Sequence, residues 1–176
     1  ADRDWSSDVC SSDLDDEGEF VSVRYGDGEQ SIVVATTRAE TMMGDGAVAV
    51  HPDDPRYKDM IGKKVLLPLV NRMIPIIADE LVDPDFGTGA VKVTAAHDPN
   101  DFEMAVRHNV PFVVIMNEQG VMDGTGTEFD GMDRFDARVA VVAKLKEMGR
   151  IVAEKRPYIH AVGHCSRCDT TVEPRL

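Results

Sequence analysis

Three short stretches carry side chains whose types and spacing suit chemistry. Thr36-Thr37-Arg38-Ala39-Glu40-Thr41 packs three hydroxyls, a guanidinium and a carboxylate into six residues at the end of a β-branched run. Gly87-Thr88-Gly89-Ala90-Val91-Lys92-Val93-Thr94 alternates, so Lys92 and Thr94 share one face of a strand and Val91 and Val93 the other. Each has an ordinary reading when taken alone: threonines are common at strand ends, and a lysine beside a threonine normally faces water. The third stretch is His97-Asp98-Pro99-Asn100-Asp101. Asp98 suits a helix N-cap and Pro99 the first helical position, and Asp101 completes a capping-box-like pair that needs no function. The same spacing directs both carboxylates to one side of the helix start. Two acids at one point make a receptor for a cation such as an ammonium. Only His97 lies near enough in sequence to add a metal ligand, so no metal is expected there. His97 itself has two readings, a general base or a packed histidine.

The elements that must position these groups are mostly strands. Residues 20–25 alternate, Gly26-Asp27-Gly28 supplies a turn, and 31–37 is a β-branched run, which together predict a hairpin. Further strands are expected at 47–50, 64–69, 73–78, 90–94, 112–116, 151–154 and 158–162, most of them bounded by Pro, Gly or Asn. Two helices are expected. One opens at Asp98. The other runs from about 133 to 148, with Phe135, Val139, Val142, Leu145 and Met148 at helical spacing and Gly149 as its stop. Many short strands with two helices predict a β-rich α+β domain, a closed barrel-like sheet with peripheral helices.

Composition narrows the class. The 176 residues are 43% hydrophobic and 29% charged, which is a folded globular balance. No apolar run approaches the ~20 residues of a membrane span, so no membrane partner is expected. No basic-then-apolar leader opens the chain, and three cysteines are too few for a disulfide scaffold. A reducing, cytoplasmic setting is therefore expected. The net charge of −13 argues against a general grip on DNA or RNA, which needs clustered cations. The charge is uneven: residues 1–30 hold ten acids and two bases, whereas Lys144 onward holds seven bases and four acids. A local basic surface for one end of an RNA is compatible with that. Residues 1–15 are Ser/Asp-rich without a period, and are set aside as a non-native or disordered arm.

Read together, the three stretches closely resemble the inserted editing domain of valyl-tRNA synthetase. The likeness runs from Thr36 to Asp45, through Ala47-Val48-Ala49-Val50-His51-Pro52, and from Phe86 to Glu103. It also takes in residues 74–80 and the exit segment Val162-Gly163-His164-Cys165, and covers about residues 20–176. The resemblance implies an editing domain over 16–163 and an exit segment over 164–176 that leads toward a synthetase body. The isoleucyl and leucyl relatives share the domain, but the isoleucyl form typically lacks the arginine of the first stretch and the leucyl form differs around Pro99-Asn100. Ala39 and Ala95 stand where the family usually has prolines, which should loosen two turns by up to about 1 kcal/mol each.

What the resemblance implies is hydrolysis of threonine wrongly esterified to tRNA(Val). Threonine and valine are nearly isosteric, and an apolar synthetic pocket rejects an added hydroxyl poorly, a limit for which valyl synthetases are themselves the usual example. The expected partners are the 3′ end of tRNA(Val) carrying threonine and the rest of the synthetase, with no cofactor. By the same resemblance Lys92, Thr94 and Asp98, with Arg38, Phe86, His97 and Glu40, form the substrate pocket. Asp101 holds the α-ammonium, and Thr36 and Thr37 contact the terminal adenosine or the attacking water. An aminoacyl ester is already activated, so positioning a water can suffice. Cys165-Ser166-Arg167-Cys168 has metal-knuckle spacing but supplies only two of the four ligands a structural zinc needs, and is read as an orphaned half-site. The rival readings are a leucyl-type editing domain and a non-catalytic module that binds the tRNA 3′ end.

Overall fold

A computed structural model describes residues 11–176, with side chains from Asp15 onward. The hairpin expected at the start is present. In β1 (Ser11–Tyr25) and β2 (Ile32–Thr36), Val21, Val23 and Tyr25 face Thr36, Val34 and Ile32 across an antiparallel ladder, and all six are buried. Gly26 turns the chain at φ +74°, a conformation that disfavours any Cβ. β7 (Ile151–Cys165) pairs with the other edge of β1, giving a three-stranded sheet of order β2-β1-β7.

A second sheet has the order β4-β5-β3-β6. Its strands are β3 (Ala47–Val50), β4 (Lys64–Leu67), β5 (Arg72–Ala78) and β6 (Ala90–Val93). β3 runs parallel to β5 and antiparallel to β6, with Val48 opposite Lys92. All four β3 residues are buried because both faces are covered. Val48 and Val50 face the main core, while Ala47 and Ala49 join Val93, Ala95, Met104 and Ala105 in a second cluster under helix α1 (Pro99–His108). Helix α2 (Arg134–Glu147) packs Ala137, Val141, Val142 and Leu145 into the main core.

Several expectations are corrected. The strands form two open sheets, not one closed ladder. The two sheets are linked by the Thr88 hydroxyl, which donates to the Val33 carbonyl (2.6 Å), and by the Gly26 amide, which donates to the Leu66 carbonyl (2.9 Å). Residues 112–116 form no strand beyond a single bridge from Met116 to Met122, since the Ile115 amide is taken by a histidine ring nitrogen. The separate strands expected at 151–154 and 158–162 are one continuous β7. It accommodates Pro157 because an edge strand can spare a donor. Residues 11–15, set aside with the arm, form the first rungs of β1 opposite 161–165. A backbone ladder does not need side-chain periodicity. Residues 1–10 lie outside the described residues.

Candidate active site

The end of β2, the end of β6 and the start of α1 meet at one hollow of about 170 Å³. Thr36, Thr37, Arg38, Phe86, Lys92, Thr94, His97, Asp98 and Asp101 all line it, with Phe20, Ala35, Thr41 and Val91. Nine of the ten sequence-derived site residues are therefore brought together. Glu40 is the exception: it does not line the hollow. It is fully buried and accepts two hydrogen bonds from Arg138 (2.8 and 2.9 Å), which fastens α2 to the 3-10 turn 39–44.

The floor is a closed polar network. Lys92 is 8% exposed, and its ammonium donates to the hydroxyls of Thr41 (2.6 Å) and Thr94 (2.5 Å), with the Asp45 carboxylate at 3.3 Å. The Thr94 hydroxyl donates to Asp45 Oδ1 (2.5 Å), the Tyr25 hydroxyl to Asp45 Oδ2 (2.7 Å), and the Thr41 hydroxyl to the Arg38 carbonyl (2.9 Å). An ammonium has three protons, so every Lys92 donor has a protein acceptor. Both threonine protons are also committed, so each oxygen, which already accepts from Lys92, keeps one further lone pair. Burial pushes the Asp45 carboxyl upward, and Lys92, Thr94 and Tyr25 oppose that shift. Burial, reinforced by Asp45, pushes the Tyr25 phenol well above its ordinary value. Asp45 and Tyr25 were missed by sequence reasoning. Asp45 closes the first run of the resemblance, Thr36 to Asp45, but lies beyond the stretch whose spacing suggested chemistry.

The acidic rim lies at the helix start. Asp98 caps α1, accepting from the Asn100 amide (2.8 Å) and the Asp101 amide (3.3 Å). Asp101 is buried and accepts from the Thr94 amide (2.8 Å). Burial raises its carboxyl to about 6, against the pull of Lys92. Thr36 accepts from the Arg38 amide (3.0 Å), which shapes the turn out of β2. His97 is fully buried. Its Nε2 accepts from the Ile115 amide (3.1 Å), which leaves the proton on Nδ1 to donate to the Pro174 carbonyl (3.1 Å). Burial lowers its basicity. Both ring nitrogens are thus occupied, the geometry of a packed histidine.

Arg38 sits at the boundary with a larger groove of about 650 Å³, which shares Thr37, Arg38 and Asp98 with the hollow. Its Nη1 donates to the His97 carbonyl (2.9 Å), its Nη2 pairs with Glu173, and its Nε stands 3.8 Å from Glu40. Phe86 is 53% exposed at the rim and tilts against Phe20, with ring centroids 5.9 Å apart. Among the described residues no cluster of three His, Cys, Asp or Glu side chains is placed to hold a metal. Cys165 and Cys168 are unpaired thiols, and Cys10 lies outside the described residues. Among the described residues no helix is long and apolar enough to cross a membrane.

Comparison with known proteins gives a consistent picture. Residues 58–146 match the family model described as leucyl-tRNA synthetase, editing domain. Over 170 residues the chain is 63% identical to a valine--tRNA ligase of Streptomyces avermitilis, spanning 97% of this chain and 19% of that protein. It is 58% identical over 173 residues to a valine--tRNA ligase of Mycobacterium tuberculosis, spanning 97% of this chain and 20% of that one. The chain thus spans about a fifth of the length of these relatives. Two solved structures share the fold. A leucyl synthetase in a ternary complex with tRNA and LeuAMS, from Agrobacterium radiobacter K84, superposes with a TM-score of 0.60 at 21% identity, covering 90% of this chain and 24% of that one. The structure titled GlLeuRS-CP1 superposes with a TM-score of 0.62 at 12% identity, covering 79% of this chain and all of that one.

Proposed function

The chain belongs to the aminoacyl-tRNA synthetase editing-domain family, as an editing domain of the valine--tRNA ligase kind, and from that premise we propose that it hydrolyses the ester of threonine mischarged onto tRNA(Val). The observation that carries this reading is the meeting of Lys92, Thr94 and Asp101 around one amino-acid-sized hollow. In the proposed complex the α-ammonium of the esterified threonine lies against the Asp101 carboxylate. The threonine hydroxyl reaches the floor, donating to a lone pair on Thr94 or accepting from Lys92 in place of the long 3.3 Å contact to Asp45. A valyl group has the same shape but no hydroxyl, so it leaves desolvated polar groups unpaired and is rejected. The ester carbonyl then faces Thr36 and Thr37, whose hydroxyls hold the attacking water or the terminal ribose. Water oxygen adds to the carbonyl carbon, the bond to the ribose oxygen breaks, and the ribose takes up a proton as threonine leaves. No protein nucleophile is required, because the ester is already activated. Arg38 and Phe86 wall the pocket, and Asp98 holds Asp101 through the helix cap.

The tRNA contributes only its single-stranded 3′ end here, which accords with a chain of net charge −13. The remainder of a synthetase supplies the grip on the rest of the tRNA, and the role belongs in the cytoplasm. Residues 16–163 constitute the editing unit and 164–176 its exit segment. The hydrogen bonds that join the two sheets, from Thr88 to Val33 and from Gly26 to Leu66, support reading them as halves of a barrel-like domain. Incubating the chain with Thr-tRNA(Val) and Val-tRNA(Val) tests the proposal. Selective release of threonine is expected. Release of neither amino acid, with tRNA-end binding retained, would instead support a non-catalytic binding module, and clearance of leucine-like amino acids a leucyl-type specificity.

A further inference from the structure

We propose that Glu173 is a positioning residue for the editing pocket, acting through Arg38. This rests on the function proposed above. The strap 171–176 leaves β7 and crosses beneath the site, fixed at each step. Val172 donates its amide to the Gly163 carbonyl (2.8 Å), the Thr171 carbonyl accepts from Arg134 (3.3 Å), and the Pro174 carbonyl accepts from His97. Arg175 Nε donates to the Met116 carbonyl (2.9 Å) and the Leu176 amide to the Ala96 carbonyl (3.1 Å).

This strap presents Glu173 to two guanidiniums. One carboxylate oxygen pairs with Arg38 Nη2 and the other lies 3.3 Å from Arg134 Nε. The alternative partner for Arg38 is already committed: Glu40 takes the Arg138 fork at 2.8 and 2.9 Å and stands only 3.8 Å from Arg38. Without Glu173, Arg38 would have only Glu40, already held by Arg138, and Arg134 would lose its carboxylate partner. Arg38 would then be free to swing between the hollow and the adjoining groove, both of which it lines. With Glu173 in place its guanidinium is held from two sides, by this carboxylate and by the His97 carbonyl, and forms a fixed wall of the pocket.

The test uses the 176-residue chain, a non-hydrolysable threonyl-adenosine mimic and its valyl counterpart. In E173Q the mimic should bind about tenfold more weakly, the threonyl-over-valyl preference should shrink, and the Arg38 Nε–H resonance should broaden, at a melting temperature close to that of the unmodified chain. E173D keeps the charge one methylene short and should recover part of the loss. In an Arg38→Lys background E173Q should add little, since its effect runs through Arg38. Undiminished mimic binding by E173Q, or an equal E173Q penalty in the Arg38→Lys background, overturns the assignment while leaving the proposed function standing. Failure of the unmodified chain to bind the mimic overturns both. If E173Q does not fold, E173D decides alone: wild-type affinity in that variant overturns the assignment, and intermediate affinity supports it.

Discussion

The backbone amide of Thr94 donates to Oδ2 of Asp101 at 2.8 Å. That bond ties the strand carrying the hydroxyl-reading groups to the helix start carrying the ammonium receptor. Their spacing is held by that bond together with the turn between them, in which the His97 amide donates to the Thr94 carbonyl at 3.0 Å.

Asp101 should trade stability for activity. Its folded carboxyl is raised to about 6. A raised acid disfavours the folded state once it is ionised, so its contribution worsens as pH climbs from about 4 to 6 and stays unfavourable above that. At pH 8 the cost is up to about 3 kcal/mol. Asp101→Asn should therefore unfold at higher denaturant than the unmodified chain at pH 8, and lose that advantage at pH 4. An advantage that is independent of pH would contradict the assigned carboxyl.

The same variant should lose threonine release. A charge-assisted hydrogen bond contributes about 1.5–3 kcal/mol, so turnover of Thr-tRNA(Val) should fall roughly 10- to 150-fold. In the unmodified chain, turnover should rise with pH through about 6, as Asp101 ionises and becomes able to hold the ammonium. Full activity in Asp101→Asn would remove that residue from the site.

Lys92→Met leaves the buried Asp45 without its cation. Breaking a buried pair from one side costs about 3–5 kcal/mol, which should appear as a lower melting temperature. The threonyl-over-valyl preference should shrink with it. Lys92→Met with Asp45→Asn should recover much of the stability and none of the preference, because the amide no longer needs a cation. Thermal melts and paired deacylation assays separate the two effects.

Ala39 opens the 3-10 turn 39–44, and the preceding Arg38 lies outside the helical region (φ −125°, ψ 67°). It therefore avoids the α region that a following proline disfavours. Ala39→Pro should stabilise by about 0.4–1 kcal/mol, mostly by restricting the unfolded chain, with turnover unchanged. A fall in the denaturation midpoint would show that the turn cannot take the ring.

Most of the pocket was legible because its residues sit in compact local patterns. Alternation around Lys92 assigned it and Thr94 to one face, and the capping pattern assigned Asp98 and Asp101 to one helix start. What alternation could not say was that the lysine face is buried. That depends on Asp45 and Thr41 arriving from another element. Residues 112–116 misled for a related reason: a short apolar run reads alike whether it joins a ladder or is held by one bridge and a bond from Ile115 to His97. The continuity of β7 was hidden by Pro157, which splits the pattern but not the edge strand. Glu173 carries no local signal, since its partners Arg38 and Arg134 lie far away in sequence.

The β1/β7 ribbon places Ser11 directly across from Cys165, so incoming and outgoing chain travel side by side. A bend in either of these strands has to be shared by the other, because the rungs between them otherwise part.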